Sequence, residues 1–364
     1  MRRLILLSIC FPLLFSACAP DEQVGSLCPE IGEATQTTLF VAYKDQLIIP
    51  AYTTVYDRLE SLEASLETLL VNPNLTKLSE ARDNFIAAYR AWQYAEPFYF
   101  GPAEDQLIED HLNFFPVDPQ ALQASIDTGF DVDATERYDR GFPAMDYLFY
   151  QGTDEAIIER LSNATVQAYL NANLDNMMNR LDLIIQDWNT AFGAAFVNNT
   201  GKVDGASLSQ IINTYNRHFE SIKRNRVGLA SGILTLGFKD VEVLEGYYSG
   251  ISLDLLSDAL DASAIYFYGG SKNDSLVSLY KLLSDLDLRV NNNLLANQMA
   301  ASIEQYTAAL EAIIIPLDEA ILSEDEIIFG LYQALSGYVV LAKTDMPTLM
   351  CISITYVDNP SDSD

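Results

Sequence analysis

Histidine is scarce in this chain, with two in 364 residues. Only His111 and His218 can supply imidazole, so a metal centre built on several histidines is excluded. Cysteine is nearly as rare, at four. Cys10 and Cys18 belong to the extreme N-terminus, which leaves Cys28 and Cys351. Two thiols make neither a disulfide framework nor a cysteine zinc set. A single Cys28–Cys351 bridge stays open in an oxidising compartment, although spacing alone does not bring the two ends together. Cations are few as well: 21 Lys and Arg face 51 Asp and Glu, a formal net charge of −30. That balance excludes nucleic-acid binding, which needs clustered positive charge, and disfavours anionic lipid surfaces. Past the N-terminal segment no apolar run reads as long enough, at roughly 18 residues, to span a membrane. Alternating strand patterns are almost missing, with "CISITYV" from Cys351 to Val357 the one short candidate. There is no Gly-x-Ser-x-Gly elbow, no phosphate loop and no His-Glu-x-x-His. No Asp/Glu pair is marked for glycoside hydrolysis.

What is present begins with "MRR", the apolar "LILLSICFPLLF" and the small residues Ser16 and Ala17 before Cys18. This is the order of a secretory signal peptide, residues 1–17, cut before a lipid-modified cysteine. Acyl chains on Cys18 would tether the protein to a membrane that it does not cross. Residues 18–34 read as an acidic, aperiodic tether. The expected location is the cell envelope, on the outer membrane, facing the periplasm or the outside.

Apolar residues then recur at helical spacing through nearly the whole chain. Leu59, Leu62, Leu66, Leu69 and Leu70 form one stripe, Leu174, Met177, Leu181, Ile184, Ile185, Trp188 and Phe192 a second, and Ile328, Leu331, Leu335 and Tyr338 a third. The expected fold is all-α. "VNPNLT" (71–76) ends a long first helix that Pro50 is placed to kink. "NNTGKVDGAS" (198–207) is the best boundary between domains. The expected division is a helical bundle over 35–200, a second over 201–357 and a flexible tail over 358–364, with a cleft between the bundles.

The distinctive stretches are "AWQYAEPFYFGPAED" (91–105), "LNFFPVD" (112–118), "RGFPAMDYLFY" (140–150), "IKRNRVG" (222–228), "VLEGYYSGIS" (243–252) and the C-terminal "LAKTDMPTLMCISITYVDNPSDSD". Taken in order they resemble the imelysin family of bacterial extracytoplasmic proteins, from about residue 35 to the tail. The resemblance implies two helical bundles meeting at a cleft, export, frequent lipidation and an association with iron acquisition. It also implies a Gly-x-His-x-x-Glu signature, after which the family was taken for metallopeptidases. Here that signature falls on Gly141, Pro143 and Asp146.

Proline has no side-chain donor for a metal, and Asp146 is one methylene shorter than Glu. One carboxylate does not make a three- or four-ligand zinc site, whereas Pro suits the first turn of a helix. Two readings of "RGFPAMD" follow: a helix start kept for architecture, or a ligand cleft that works without histidine. The residues expected at that cleft are Glu96, Asp118, Asp146, Arg224, Arg226 and Glu245; Glu96 and Glu245 are put there by the resemblance. Asp345 is a further carboxylate in a matching stretch. His111 reads as a half-exposed residue beside Asp110, or as a replacement ligand if its loop folds back. His218 lies in a basic cluster with Arg217, Lys223, Arg224 and Arg226, which either pairs with carboxylates or binds an anion. The sequence thus points to a non-enzymatic binding or accessory lipoprotein, linked through the resemblance to iron or other nutrient uptake. No cofactor and no metal are expected. The partners expected are a membrane through the lipid, and a small ligand or an uptake protein. A metallopeptidase and a purely structural lipoprotein are the alternatives.

Overall fold

The computed structural model describes residues 28–131, 137–270 and 277–356. The signal peptide, Cys18 and the tail lie outside the described residues.

The chain is all-α, as its periodicity requires. In the first half α1 (Glu33–Ala42), α2 (Ile49–Val71) and α3 (Leu75–Ala95) are followed by the short α4 (Pro102–Asp105), α5 (Ile108–Leu112) and α6 (Pro119–Thr128). Then come α7 (Gly141–Tyr150), α8 (Asp154–Leu161), α9 (Ala164–Asn189) and α10 (Ala191–Asn198). In the second half run α11 (Ser207–Ser221), α12 (Ser252–Tyr268), α13 (Leu279–Asp285), α14 (Leu295–Glu311), α15 (Leu317–Ser323), α16 (Asp325–Val339) and α17 (Met346–Met350). The only strands among the described residues are β1 (Arg289–Val290) and β2 (Asn293–Leu294), an antiparallel pair. Helices α2, α3 and α9 pack together in the first half and α14 against α16 in the second, while α12 lies on α3 and joins the halves. One apolar cluster runs from Leu39 to Ile352.

Turn chemistry sets the boundaries. Asn74 caps α3 by accepting from Lys77 N at 3.2 Å, and Asp118 caps α6 with Pro119 behind it; each side chain satisfies a first-turn N–H that the helix cannot. Pro50 stands in the first turn of α2, where its missing N–H matters least. A π-helical turn, Tyr43–Ile48, precedes it and joins α1 to α2. A second π-turn, Val340–Asp345, joins α16 to α17 and ends two residues before Pro347. A proline donates no N–H to the carbonyl four residues back and crowds it, and widening the preceding turn relieves that conflict.

Two sequence expectations are corrected. "CISITYV" forms no strand over its described part, 351–356. Its backbone bonds instead to a side chain of α11: Thr355 N donates to Asn213 Oδ1 at 2.7 Å and Asn213 Nδ2 to Ser353 O at 3.0 Å. The continuous helix Asp325–Met350 is, by length and composition alone, apolar enough to cross a membrane. Its charges lie towards its two ends, Asp325 and Glu326 at one and Lys343 and Asp345 at the other. A stretch that takes in up to two of them is still apolar enough, whereas the sequence reading counts only an unbroken apolar run.

Cys28 and Cys351 are joined, with Cα atoms 5.5 Å apart at a sequence separation of 323. Lys202 Nζ reaches Pro29 O at 2.8 Å beside the bond. Cross-linking the ends removes much of the unfolded chain's freedom, so replacing both cysteines by serine is expected to cost about 2–4 kcal/mol. Urea unfolding of the double variant against the oxidised protein measures it; coincident curves would show that the bridge adds nothing.

Candidate functional site

A polar seam runs between the two halves, and most of its bonds cross from one to the other. Its centre is Arg226, 2% exposed, on a third π-turn, Ile222–Gly228, that extends α11. Arg226 Nε donates to Glu245 Oε2 at 2.5 Å, and Nη2 donates to Glu96 Oε2 at 2.6 Å and to Gln93 Oε1 at 2.9 Å. Glu96 opens a 3-10 turn, Glu96–Phe98, at the end of α3, with Pro97 fixing the turn. Gln93 lies one helical turn earlier on the same face. Glu245 Oε1 accepts from Gln93 Nε2 at 2.6 Å and from Asn113 Nδ2 at 2.7 Å, and Tyr89 OH in turn donates to Asn113 Oδ1 at 2.9 Å. The remaining nitrogen, Arg226 Nη1, has no acceptor among the described residues, and the guanidinium lies over the Phe115 ring at 5.5 Å. At the outer end Arg217 grips Glu109 with two bonds, 2.8 and 2.5 Å, and stacks on Tyr99 at 4.5 Å.

At the inner end is the start of α7. Asp146 is 2% exposed, and both its oxygens are taken: Oδ2 accepts from Tyr248 N and Oδ1 from Ser249 N, each at 3.0 Å. It therefore fastens the loop that carries Glu245. Pro143 and Asp146 border one small niche with Pro116, Glu242 and Tyr248; its volume is about 10 Å³, room for a single water molecule. No group of three His, Cys, Asp or Glu donors converges among the described residues. A divalent metal does not fit this set: position 143 offers no donor, and the one carboxylate, Asp146, already holds two backbone N–H groups with no second donor converging on it among the described residues.

Asp118 is not part of the seam; it is the exposed cap of α6. Arg224 is half-buried two residues before Arg226 and bonds to no seam residue, and Asp345 is half-buried at the far end of the second half. The basic cluster around His218 is divided by its helix: Arg217 and Arg226 pair with carboxylates, and Lys223 lies over the Tyr332 ring at 5.7 Å. His218 is 3% exposed, and its Nε2 has no partner among the described residues. His111 is not half-exposed beside Asp110 but buried, with Nδ1 3.1 Å from Asn176 Nδ2; Asp110 bonds to Arg137 instead. Its loop does fold back onto Gly141, yet the ring bonds away from the niche. Gln93, Asn113 and Tyr89 escaped the sequence reading. Only the helical spacing of Gln93 from Glu96, and the place of Asn113 in "LNFFPVD", could have pointed to them.

Burial pushes the Glu96 carboxyl up to about 7, with Arg226 pulling against it and Glu245 and Glu109 adding to it. Burial likewise raises Asp146 to about 6, opposed by the Ser249 and Tyr248 bonds. For Arg226, burial works against the cation, and Glu245 and Glu96 more than offset it. Burial, together with Arg180 and Arg140, holds His111 down to about 3; burial and Arg226 also lower His218. The signs oppose each other. A carboxyl raised on folding stabilises fully below its unfolded pKa and loses that contribution as pH rises through the folded one. A histidine lowered on folding loses stability as pH falls below its ordinary value. Glu96→Gln isolates one of these effects: wild type is expected to lose stability relative to the variant as pH rises from about 4.5 to about 7. Thermal unfolding of both proteins across that window checks this, and parallel pH profiles would contradict it.

Comparison with known proteins places this geometry. The chain matches the Imelysin family over residues 48–336. The iron-regulated protein A of Synechococcus elongatus is 26% identical over 143 residues, which is 39% of this chain and 40% of that protein's length. A crystal structure assigned as an iron-regulated protein A precursor from Parabacteroides distasonis superposes with a TM-score of 0.73 at 17% identity, covering 86% of this chain and 95% of its own. An imelysin-like protein from Psychrobacter arcticum gives 0.70 at 17% identity, covering 90% and 99%. At such identity the two structures speak for the fold alone.

Proposed function

The chain belongs to the imelysin family, and from that premise we propose that it is a non-enzymatic accessory lipoprotein of the cell envelope, serving iron or other nutrient uptake. The observation that carries this reading is that the seam's carboxylates are buried and engaged by the protein itself. Both oxygens of Asp146 hold backbone N–H groups, Glu245 accepts from Arg226, Gln93 and Asn113, and Glu96 Oε2 accepts from Arg226. A general base must reach a substrate proton and a metal needs several converging donors; these carboxylates are instead buried where they hold the two halves together. The name of the Synechococcus relative supports the link to iron, and the N-terminal signal with Cys18 supports the envelope location. Binding would then use the outer surfaces of the bundles rather than the seam.

The test has two arms. Purified protein, dialysed and analysed for metal, is expected to keep no stoichiometric zinc or iron and to cleave no peptide. Loss of the gene is expected to slow growth when iron is limiting and not when it is plentiful. Stoichiometric metal together with chelator-sensitive peptide cleavage would overturn the reading in favour of the metallopeptidase. For the anchor, Cys18→Ala is expected to move the protein from the membrane fraction to the soluble one; retention through detergent-free washes would refute lipidation.

A further inference from the structure

The outer face of α16 differs from the other long helices. On α2 the solvent side carries Asp57, Arg58, Glu60 and Glu67, as expected of a chain with 20% charged residues. From Ile327 to Ala342 there is no charged residue at all. The inward stripe of Ile328, Leu331, Leu335 and Tyr338 accounts for part of that apolar character. Yet only 28% of the helix's most apolar 18-residue window is buried. The outward positions Gly330, Gln333, Gly337 and Val340 are all exposed and follow a 3-4-3 spacing, the repeat of a helix seam that meets another helix. Phe329, beside that seam, is 53% exposed and Val340 55%. A Cβ built on Gly330 or Gly337 would meet nothing within 4 Å, so the backbone there is open to close approach.

We propose that this face is the contact between two copies of the chain, with their α16 helices antiparallel about a two-fold axis at Gln333. The face is self-complementary about that residue. Phe329 lies four positions before Gln333 and Gly337 four after it. The two-fold therefore sets each Phe329 ring over the Gly337 of the other copy, a ridge into a gap. The two Gln333 amides meet on the axis, where each offers both a donor and an acceptor. Charge fixes the direction. Glu324, Asp325 and Glu326 crowd the N-terminal end of the helix, so a parallel pair would oppose three carboxylates to three. The antiparallel pair brings each acidic end to the end bearing the partner copy's Lys343, which already holds Glu220 at 2.8 Å. A net charge of −30 tends to keep copies apart, and this uncharged face is a place where they can meet.

Sedimentation equilibrium of the full mature chain, made soluble by Cys18→Ala, tests the pairing over a wide concentration range. Wild type is expected to be a dimer that dissociates on dilution. Gly337→Glu fills the gap with a charge and Gln333→Glu opposes two carboxylates on the axis; both are expected to abolish the dimer. Neither should lower the unfolding temperature of the monomer, since both positions are exposed and Glu is a better helix former than Gly and about equal to Gln. Gln333→Cys is expected to give a covalent dimer on mild oxidation. A wild type that stays monomeric at every concentration would overturn the proposal, and so would a dimer that survives Gly337→Glu. Flotation of wild type with phosphatidylcholine vesicles, lost in Gly337→Glu, would assign the face to lipid and overturn it equally.

Discussion

Arg226→Met is expected to destabilise the protein by about 3–5 kcal/mol, the range for removing one partner from a buried ion pair. Methionine keeps most of the volume, so the loss is electrostatic and not a cavity effect. Glu96 and Glu245 would remain in a region where they are 7% and 2% exposed, with Gln93 and Asn113 still donating to Glu245 and Glu96 losing the guanidinium that donates to it. Without the guanidinium pulling against burial, the Glu96 carboxyl would titrate higher still. Its contribution is present in acid and lost as pH rises, and so the deficit should be smaller near pH 5 than near pH 8. Urea unfolding at the two pH values measures both the size and the trend. Adding Glu96→Gln and Glu245→Gln to Arg226→Met removes the stranded charges and is expected to recover much of the loss, because a buried pair replaced as a whole costs far less than one broken in half. A loss below about 1 kcal/mol for the single variant would mean that water enters the seam and that the halves are held by their apolar contacts alone.

Gly141→Ala should be nearly as severe, at about 3 kcal/mol or more. Gly141 has φ +70°, a conformation that costs an alanine about 1–2 kcal/mol before any contact is counted. A Cβ there would lie 2.2 Å from Leu112 O and 2.8 Å from His111 O. Those atoms are backbone at the end of α5 and cannot rotate aside, so α5 must move. Asn113 follows directly and would carry its bond to Glu245 with it. Gly141 is also tied to α9, since its N–H donates to Asn173 Oδ1 at 2.8 Å. The glycine of the family signature is thus kept here by packing, even though the histidine position is Pro143. Chemical denaturation reads the loss; a variant within about 1 kcal/mol of wild type would show that α5 yields easily and that the close approach is incidental.

The helices were legible because their signal is local. The stripe Leu59–Leu62–Leu66–Leu69 is buried throughout, and the breaks at 71–76 and 198–207 fall between helices. The start of α7 was legible too, as Pro143 in a first turn after Gly141. The site was legible only in part. Arg226, Glu96 and Glu245 could be named from stretches of chain, yet their joining depends on a π-turn that rotates Arg226 inward and on a loop held by Asp146. No periodicity reports either. His111 was misread because a histidine beside an aspartate in sequence usually shares water with it, whereas α9 covers this one.

The sequence by itself determined an acidic, all-α chain with too few imidazoles and thiols for a centre built on histidine or cysteine, since composition and 3.6-residue spacing act residue by residue. Only the tertiary structure decided what the carboxylates do. Whether Glu96, Asp146 and Glu245 bind a ligand or a neighbour depends on which donors lie within 3 Å of them, and those donors come from positions as much as 152 residues away along the chain. The pairing of Cys28 with Cys351 was decided in the same way, because two thiols form a bond only where packing brings their Cα atoms to about 6 Å.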